Sequence, residues 1–571
     1  GRLSDHAKAA VWPRLWQLSA VQNRTGIGRL GVLYPHLYGC DPLQTIFAVD
    51  YFLTRNGFWQ EALAALECVA KTGETPVVLI ALQLAWLADV QWTLGRFEAA
   101  EEAFEDLFGR AVGAGVEAVV ADADFANAAV RGLWAYYAHV AATGGDMEKA
   151  LSLSSALREA ARKVGVEPAR ACYAQLTLLL AHLAEDNGDI EGAEALYLEA
   201  SGFDPGGYLP DAFHRATQFL VALDHWDEAA TIQQRGLVAL WHHYRPLARV
   251  SVEKRIETGE LIPDRAVFLN CEGIGDDLWR ILMYARLKGS SGSCAFVVDD
   301  RLRPALQRSM PAHEFLVRSR CAGSHAIDVE TYHRDRIGVP ASVDRTRVTR
   351  RIVDKALEYG EIALSEDIIC EYYRQRGVLP HEAPRLRPEP ARRQVAEAWL
   401  RTLPAGRLNV GVSWRSGLAS AFRNRGHYRI GDLGPLLKMP GMNWIILQYG
   451  ATEDEIEQAR SAFGAALHAM PGLDLKDDIE EVIALISALD IVVTTPSVAE
   501  PLAGATGTSV LSLCPGYFSS AQGRIGDDGE TNRILPNITM LSARKFGARQ
   551  AIVREAARCL ADLAKSRGVP T

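Results

Sequence analysis

The chain has 571 residues, of which 48% are hydrophobic and 23% are charged, a composition typical of soluble globular proteins and too apolar for intrinsic disorder. The formal net charge of −9 argues against general binding to nucleic acid or acidic membranes, because both need a dense basic surface. At roughly 100–200 residues per domain, this length predicts about three to five domains.

The cysteines and the first residues indicate the compartment. The nine cysteines are scattered, and none form a C-x-x-C pair or a cluster with His at metal-ligand spacing. This pattern is typical of reduced thiols that are buried as small hydrophobic residues. The opening GRLSDHAKAAVWPRLWQL lacks the segments of a signal peptide, and no window offers about 18 consecutive apolar residues. We therefore expect a cytoplasmic protein without a membrane span.

Residues 40 to about 248 are rich in Ala, Leu and Glu at helical spacing, which predicts an α-helical domain. A phrase recurs there: a turn residue, an aromatic or aliphatic residue two positions later, and an alanine three positions beyond it. Its five copies are GFWQEA (57–62), GRFEAA (95–100), GDMEKA (145–150), GDIEGA (188–193) and DHWDEA (224–229). Their spacing is irregular but centres near the period of helix-turn-helix solenoids.

The phrase has a physical explanation. Gly or Asp ends one helix, the large apolar residue wedges between helices, and the small alanine lets two backbones approach closely. These features resemble the tetratricopeptide repeat (TPR). We therefore expect residues 1–250 to form a TPR-like α-helical solenoid whose groove binds a peptide or protein partner; a plain helical bundle is the alternative.

From about residue 262, short apolar runs alternate with helical segments, the pattern of a parallel sheet wound with helices. The predicted strands are AVFLN (266–270), CAFVV (294–298), EFLVR (314–318), LNVGVSW (408–414), NWIILQ (443–448), DIVVTT (490–495) and SVLSLC (509–514). A proline-rich, charged stretch at 379–393 predicts a boundary between two α/β units. The fold class is thus α plus α/β, and we expect ligands at the carboxyl ends of the strands.

The first predicted strand leads into NCEGIGDD (270–277), where Gly273 and Gly275 permit a tight turn into a helix. Only two of the three glycines of a dinucleotide-binding fingerprint are present, so the glycines alone are weak evidence. Asp276 would lie at the helix start. It is either a structural cap of the helix or a functional carboxylate.

Two later strand exits suit anions. Arg415, Arg423, Arg425 and Arg429 follow the fourth predicted strand, and guanidinium groups match phosphate or carboxylate oxygens. The alternative is a solvated loop. The sixth strand leads into TTPSVAEPLAGATG (494–507), where backbone N–H groups around Ser497 and Val498 would lack helical partners and suit a pyrophosphate. The alternative there is a capped structural helix.

Six motifs in one order carry a resemblance: NCEGIGDD, GVSWRSG, RNRGHY, NWIILQYG, DLKDDIEEVIALISALDIVV and SVAEPLAGATG. Together they resemble bacterial heptosyltransferase-like glycosyltransferases of the GT-B type, which have two Rossmann-like domains. They are most similar to those in which TPRs precede the catalytic domains, whose relatives modify flagellin or adhesins. The resemblance implies an acceptor-side Rossmann-like domain at 258–395 and a nucleotide-sugar-side domain at 405–571.

The resemblance also implies roles for individual residues. Asp276 would be the catalytic base that accepts a proton from the acceptor hydroxyl. The implied donor-binding residues are Gly273, Gly275, Ser413, Trp414, Arg415, Arg425, Gln448, Tyr449, Ser497, Val498 and Glu500. Glu500 is a departure, because the family commonly has V-A-H-L-A-G where this chain has V-A-E-P-L-A-G. A carboxylate there would repel a diphosphate unless it points away.

The resemblance also implies that no metal ion or cofactor is bound, because enzymes of this type offset the charge of the leaving group with arginines and a helix dipole. We interpret the Asp299–Asp300 pair after the second strand as a solvated strand end and not as a metal site. The leading hypothesis is a glycosyltransferase that moves a sugar from a nucleotide-sugar to a protein acceptor, flagellin or another surface protein, docked on the repeats. One alternative is transfer to lipopolysaccharide or another glycan. The other is a catalytically degenerate TPR scaffold.

Overall fold

A computed structural model of the chain describes Val49 and residues 59–69, 77–143, 147–202, 210–244, 261–269, 273–289, 293–318, 350–416, 426–515 and 524–569, apart from residues 95, 166 and 547. Contacts divide the described residues into two compact units, one ending at Ala212 and the other beginning at Phe213. The domain limits 1–250, 258–395 and 405–571 stay a prediction.

The first unit is helical throughout its described residues. Its helices are α1 (Trp59–Val69), α2 (Val77–Thr93), α3 (Phe97–Ala114), α4 (Val116–Ala121), α5 (Ala123–Thr143), α6 (Met147–Val164), α7 (Glu167–Asp186) and α8 (Ile190–Ser201). Helix α2 packs against α1, α3 and α5, and α7 packs against α5, α6 and α8. Helix α9 (Pro210–Ala222) contains the division between the units, and α10 (Trp226–Tyr244) follows it.

The recurring phrase marks helix starts. Helices α1, α3, α6, α8 and α10 each begin at the third residue of one copy. The alanines that end the five copies are all buried: Ala62, Ala100, Ala150, Ala193 and Ala229. A small residue is needed at this position because neighbouring helices pack on it. The helical prediction for this half is therefore confirmed, and a TPR solenoid stays a prediction.

The second unit contains two parallel sheets. The first has the order β3-β2-β1-β4. Its strands are β1 (Val267–Leu269), β2 (Ala295–Val298), β3 (Glu314–Val317) and β4 (Ile362–Leu364). Its helices are α11 (Ile274–Lys288), α12 (Arg303–Ser309), α13 (Arg350–Tyr359) and α14 (Ser365–Arg374). Helix α10 packs against α14.

The second sheet has the order β10-β9-β8-β5-β6-β7, also parallel. Its strands are β5 (Leu408–Ser413), β6 (Met442–Ile446), β7 (Leu467–His468), β8 (Ile491–Thr494), β9 (Ser509–Cys514) and β10 (Ile538–Ser542). Its helices are α15 (Pro390–Leu400), α16 (Gly434–Leu437), α17 (Glu453–Phe463), α18 (Ile479–Ile486), α19 (Ala499–Thr506), α20 (Ala543–Phe546) and α21 (Arg549–Ser566). A 3-10 helix, Ile430–Leu433, precedes α16.

All seven predicted strands are confirmed, each within two residues at either end. They read as continuous apolar runs because parallel strands are covered by helices on both faces. Strands β4, β7 and β10 were not predicted. Strand β7 has two residues, too few to show a pattern.

The proline-rich stretch 379–393 connects the two sheets and is itself ordered. The N–H of Leu386 donates to the carbonyl oxygen of Ala505 at 2.9 Å, and the N–H of Arg387 donates to the Ser309 hydroxyl at 2.9 Å. Leu386 is 2% exposed. The stretch therefore packs against both sheet-bearing parts of the second unit.

Two further expectations concern the whole chain. The described cysteines are free thiols, and four of the five are buried, namely Cys172, Cys294, Cys370 and Cys514. Among the described helices, none combines the length and the apolar character needed to cross a bilayer.

Candidate functional site

Helix α11 begins in the GIGDD segment, five residues after the end of β1. Gly273 is the N-cap, and its N–H donates to Oδ2 of Asp276 at 3.2 Å. Asp276 therefore does cap the helix start, as one of its two interpretations predicts. Its carboxylate is half-buried, and Oδ1 accepts no hydrogen bond from a described residue. That oxygen can still accept a proton or a hydrogen bond from a ligand.

The start of α11 lies against the start of α19. A methyl group added at Gly275 would lie 3.6 Å from Cα of Val498 and 3.9 Å from Cγ of Pro501. The structure thus brings together two motifs that are far apart in the sequence. A small residue at position 275 permits this close approach, because a side chain longer than a methyl group would meet Val498 and Pro501.

The segment from β8 into α19 presents several hydrogen-bond donors. The N–H groups of Ser497, Val498 and Ala499 donate to no described residue. Ser497 Oγ lies 3.1 Å from Oγ1 of Thr494, and the buried Thr495 hydroxyl has no hydrogen-bond partner among the described residues. Free amides at a helix start suit an anionic oxygen, because the helix dipole adds partial positive charge there.

Glu500 lies inside the protein. Its side chain is 1% exposed, Oε1 accepts a hydrogen bond from Ser512 Oγ at 2.8 Å, and Oε2 lies 3.3 Å from Nη1 of Arg524. The side chain of Arg524 is 4% exposed. The carboxylate is therefore compensated by a buried cation and turned to an internal partner, which removes the objection that it would repel a diphosphate.

The exit of β5 is held by Gln448. The Gln448 side-chain oxygen accepts hydrogen bonds from Ser413 Oγ at 3.3 Å, from Trp414 N–H at 2.9 Å and from Arg415 N–H at 2.8 Å. Its side-chain nitrogen donates to the carbonyl oxygen of Tyr449 at 2.8 Å. Gln448 is 1% exposed. The polar groups of Gln448 thus join two strand exits to each other.

Arg415 is paired with Glu455 of α17. Its Nε and Nη2 lie 3.2 and 2.8 Å from the two carboxylate oxygens, and Nη2 also donates to the carbonyl oxygen of Gly450 at 2.7 Å. The indole N–H of Trp414 donates to Glu455 at 2.9 Å. Burial alone would raise the pKa of Glu455, but the hydrogen bonds and charge of Arg415, with the Thr452 N–H and Trp414, lower it below its ordinary value.

Lys476 lies beside the predicted donor-binding residue Tyr449 and was not among the predicted site residues. Its Nζ lies 5.5 Å from the ring centroid of Tyr449, a predicted donor-binding residue that is half-buried. The carbonyl oxygen of Lys476 accepts a hydrogen bond from Nη1 of Arg301 at 2.8 Å. A lone lysine in an acidic helix-start segment carries no pattern that would have revealed it.

The first sheet has a buried charge network at its strand exits. Asp277 accepts a hydrogen bond from Asp299 N–H at 2.8 Å and pairs with Arg318. Burial raises the pKa of Asp277 to about 6 against the opposing effect of Arg318. The interpretation of Asp299 as a solvated strand end was wrong, because Asp299 is 6% exposed and binds Arg301 through both carboxylate oxygens. Burial would raise the pKa of Asp299, but Arg301 outweighs it and lowers that pKa.

The predicted residues therefore fall into groups. Gly273, Gly275, Asp276, Ser497 and Val498 lie at the two adjoining helix starts. Ser413, Trp414, Arg415, Gln448 and Tyr449 lie at the exits of β5 and β6 and are bonded mostly to one another and to Glu455. Arg425 lies outside the described residues.

Known proteins resemble part of the chain in sequence and in structure. No family model matches the chain. Protein FlbA of Caulobacter vibrioides is 27% identical over 303 residues, which are 52% of this chain and 46% of FlbA. The chain thus spans about half the length of that relative.

Solved structures similar to the chain include three bacterial enzymes. A family 9 glycosyl transferase from Veillonella parvula is 9% identical, with 52% of this chain and 96% of that one covered and a TM-score of 0.35. The ADP-heptose LPS heptosyltransferase II of E. coli is 13% identical, with coverages of 53% and 99% and a TM-score of 0.33. The E. coli heptosyltransferase WaaC with ADP is 12% identical, with coverages of 53% and 99% and a TM-score of 0.29.

Proposed function

We propose that the chain is a glycosyltransferase that moves a sugar from a nucleotide-sugar donor to an acceptor hydroxyl. The observation that carries the proposal is the approach of the Asp276-bearing helix start to the donor-rich start of α19, with 3.6 Å between Val498 Cα and a methyl group placed on Gly275. The helix start that carries the half-buried Asp276 carboxylate thus lies against the helix start whose amides have no partner among the described residues. The carboxylate and the amides are the two groups that sugar transfer from a diphosphate needs.

In the proposed reaction, Oδ1 of Asp276 accepts the proton of the acceptor hydroxyl. At the same time, the hydroxyl oxygen of the acceptor forms a bond to the anomeric carbon of the donor sugar. The bond from that carbon to the diphosphate oxygen breaks, and the diphosphate leaves with the electron pair. The N–H groups of Ser497, Val498 and Ala499 stabilise the negative charge that develops on this leaving group. The proposal uses no metal ion.

The buried partners of Glu500 support activity over a degenerate scaffold. A carboxylate beside a diphosphate would weaken donor binding. The two carboxylate oxygens of Glu500, however, are bound by Ser512 and Arg524. The conspicuous departure from the family pattern is therefore compatible with a working donor site.

We further propose that the helical first unit is a TPR-like solenoid that presents a protein acceptor, flagellin or another surface protein. The support is the regular placement of buried alanines at helix starts together with the motif resemblance. Transfer to lipopolysaccharide or another glycan is the alternative outcome of the test below.

The test is a transfer assay with a panel of nucleotide-sugars and candidate protein and glycan acceptors, read by intact mass. The wild-type chain is expected to add one sugar mass to an acceptor. Asp276→Asn is expected to lower turnover by about 10²-fold or more, because a neutral amide cannot accept the proton, while nucleotide affinity stays the same.

Asp189→Asn is the matched control, because Asp189 also caps a helix, α8, but lies in the first unit. Its turnover is expected to equal that of the wild type. Transfer by no donor to any acceptor, or full turnover of Asp276→Asn, would count against the proposed function.

A further inference from the structure

Arg524 lies between two side chains from different helices. On one side its Nη1 is 3.3 Å from Oε2 of Glu500, the second residue of α19. On the other side its guanidinium carbon lies 4.3 Å from the ring centroid of Trp279 in α11. Arg524 and Trp279 are 3% and 4% exposed, and Glu500 is 1% exposed. The arginine is therefore held in the interior by an ion pair and by a cation–π contact at once.

This arrangement gives the two helices a second contact. Gly275 and Trp279 are four residues apart and lie on one face of α11, and Gly275 already meets Val498 and Pro501. The contacting side chains of Glu500, Arg524 and Trp279 join the same two helices one turn further along α11. Two contacts a turn apart fix both the separation and the relative direction of the helices, whereas the contact at Gly275 alone fixes only the separation.

The chemistry of these three side chains makes the second contact rigid. A buried Glu500 without Arg524, or a buried Arg524 without Glu500, would leave an uncompensated charge, so the two side chains are strongly bound to their places. Ser512 fixes the other carboxylate oxygen from β9 at 2.8 Å. The planar guanidinium of an arginine can hydrogen-bond to a carboxylate and stack on an indole ring at the same time. A lysine ammonium does this less well.

We propose that Arg524 and Glu500 are positioning residues, which hold the Asp276 carboxylate in register with the start of α19. The proposal rests on the proposed function, because register matters only if the two helix starts share one substrate. Asp276 lies in the first turn of α11, one turn from Trp279. A misplacement of about 1 Å there would reduce turnover strongly without removing any group that touches substrate.

The experiment measures Arg524→Lys in the full chain, which retains the positive charge and loses the stacked plane. Turnover is expected to fall about tenfold or more, while the affinity for a nucleoside diphosphate changes less than about threefold. The double variant Arg524→Lys/Asp276→Asn should have the same turnover as Asp276→Asn alone, because Arg524 acts through the Asp276 carboxylate. Arg558→Lys is the matched control, since Arg558 is 62% exposed on α21.

A second readout does not depend on turnover. Hydrogen exchange of the backbone amides of 274–279 is expected to accelerate in Arg524→Lys and in Glu500→Gln, with exchange in α21 unchanged. If no donor is ever transferred, faster exchange at 274–279 still supports the positioning contact and only the proposed function fails. Unchanged exchange and turnover, or losses that multiply in the double variant, would overturn the positioning role.

Discussion

At the scale of single residues, the charged side chains of the candidate site have partners that were not apparent in the sequence. Arg415 is bound by Glu455, 40 residues away, and Glu500 is bound by Arg524, 24 residues away. Both interactions lie inside the second unit and follow from the tertiary fold. Residue type and strand position therefore predicted where these charges lie, but they could not predict which ones neutralise each other.

The Arg415–Glu455 pair makes a prediction about pH. The pKa of Glu455 is lowered in the folded protein, so its ionised form contributes stability above the ordinary glutamate pKa near 4.5. That contribution is lost as the pH falls through the lowered value. Glu455→Gln is expected to reduce the free energy of unfolding by about 1–3 kcal/mol at pH 7, and the difference from the wild type should shrink below about pH 4.

Urea unfolding of both proteins between pH 3 and 8 measures this difference. Glu457→Gln serves as control, because Glu457 lies on the same helix, pairs with Arg460 and has a side chain that is 55% exposed. Its effect should stay within about 0.5 kcal/mol. A Glu455→Gln difference that is constant with pH would show that the carboxylate's charge is not what stabilises the fold.

At the scale of elements, the sequence predicted the strands better than the contacts that position the site. Long apolar runs such as LNVGVS and SVLSLC become buried strands because helices cover both faces of each sheet. The helix start at Asp276 could also be predicted, since glycines followed by an acidic residue favour it. The contact of α11 with α19 could not be predicted, because it depends on how two sheets pack.

Substitutions at Gly275 test the contact of α11 with α19. Gly275→Ala is expected to retain wild-type turnover, because its methyl group would meet Val498 and Pro501 at 3.6 and 3.9 Å, ordinary packing distances. Gly275→Leu should force the helices apart and lower turnover by about tenfold or more. Steady-state kinetics with the nucleotide-sugar identified by the transfer assay measures the turnover of both variants.

Gly113→Leu is the control, because Gly113 in α3 is exposed and a methyl group added there meets no described atom within 4 Å. It should leave turnover unchanged. Wild-type turnover in Gly275→Leu would mean that the approach of α11 to α19 plays no part in the reaction.

At the scale of the whole molecule, the described residues form a helical unit and a unit with two parallel sheets. Composition and periodicity predicted this division into helical and α/β halves. Helix α10 begins within one copy of the recurring phrase and packs on α14 of the second unit. A repeat phrase alone does not reveal which unit its helix joins, because the phrase describes only how the helix begins.

The proposed function requires that the start of α19 bind a donor diphosphate beside Asp276. A crystal structure with the nucleoside diphosphate of the preferred donor tests it most directly. We expect diphosphate oxygens about 3 Å from the backbone nitrogens of Ser497, Val498 and Ala499. A diphosphate bound elsewhere on the chain, with these three N–H groups unengaged, would contradict it.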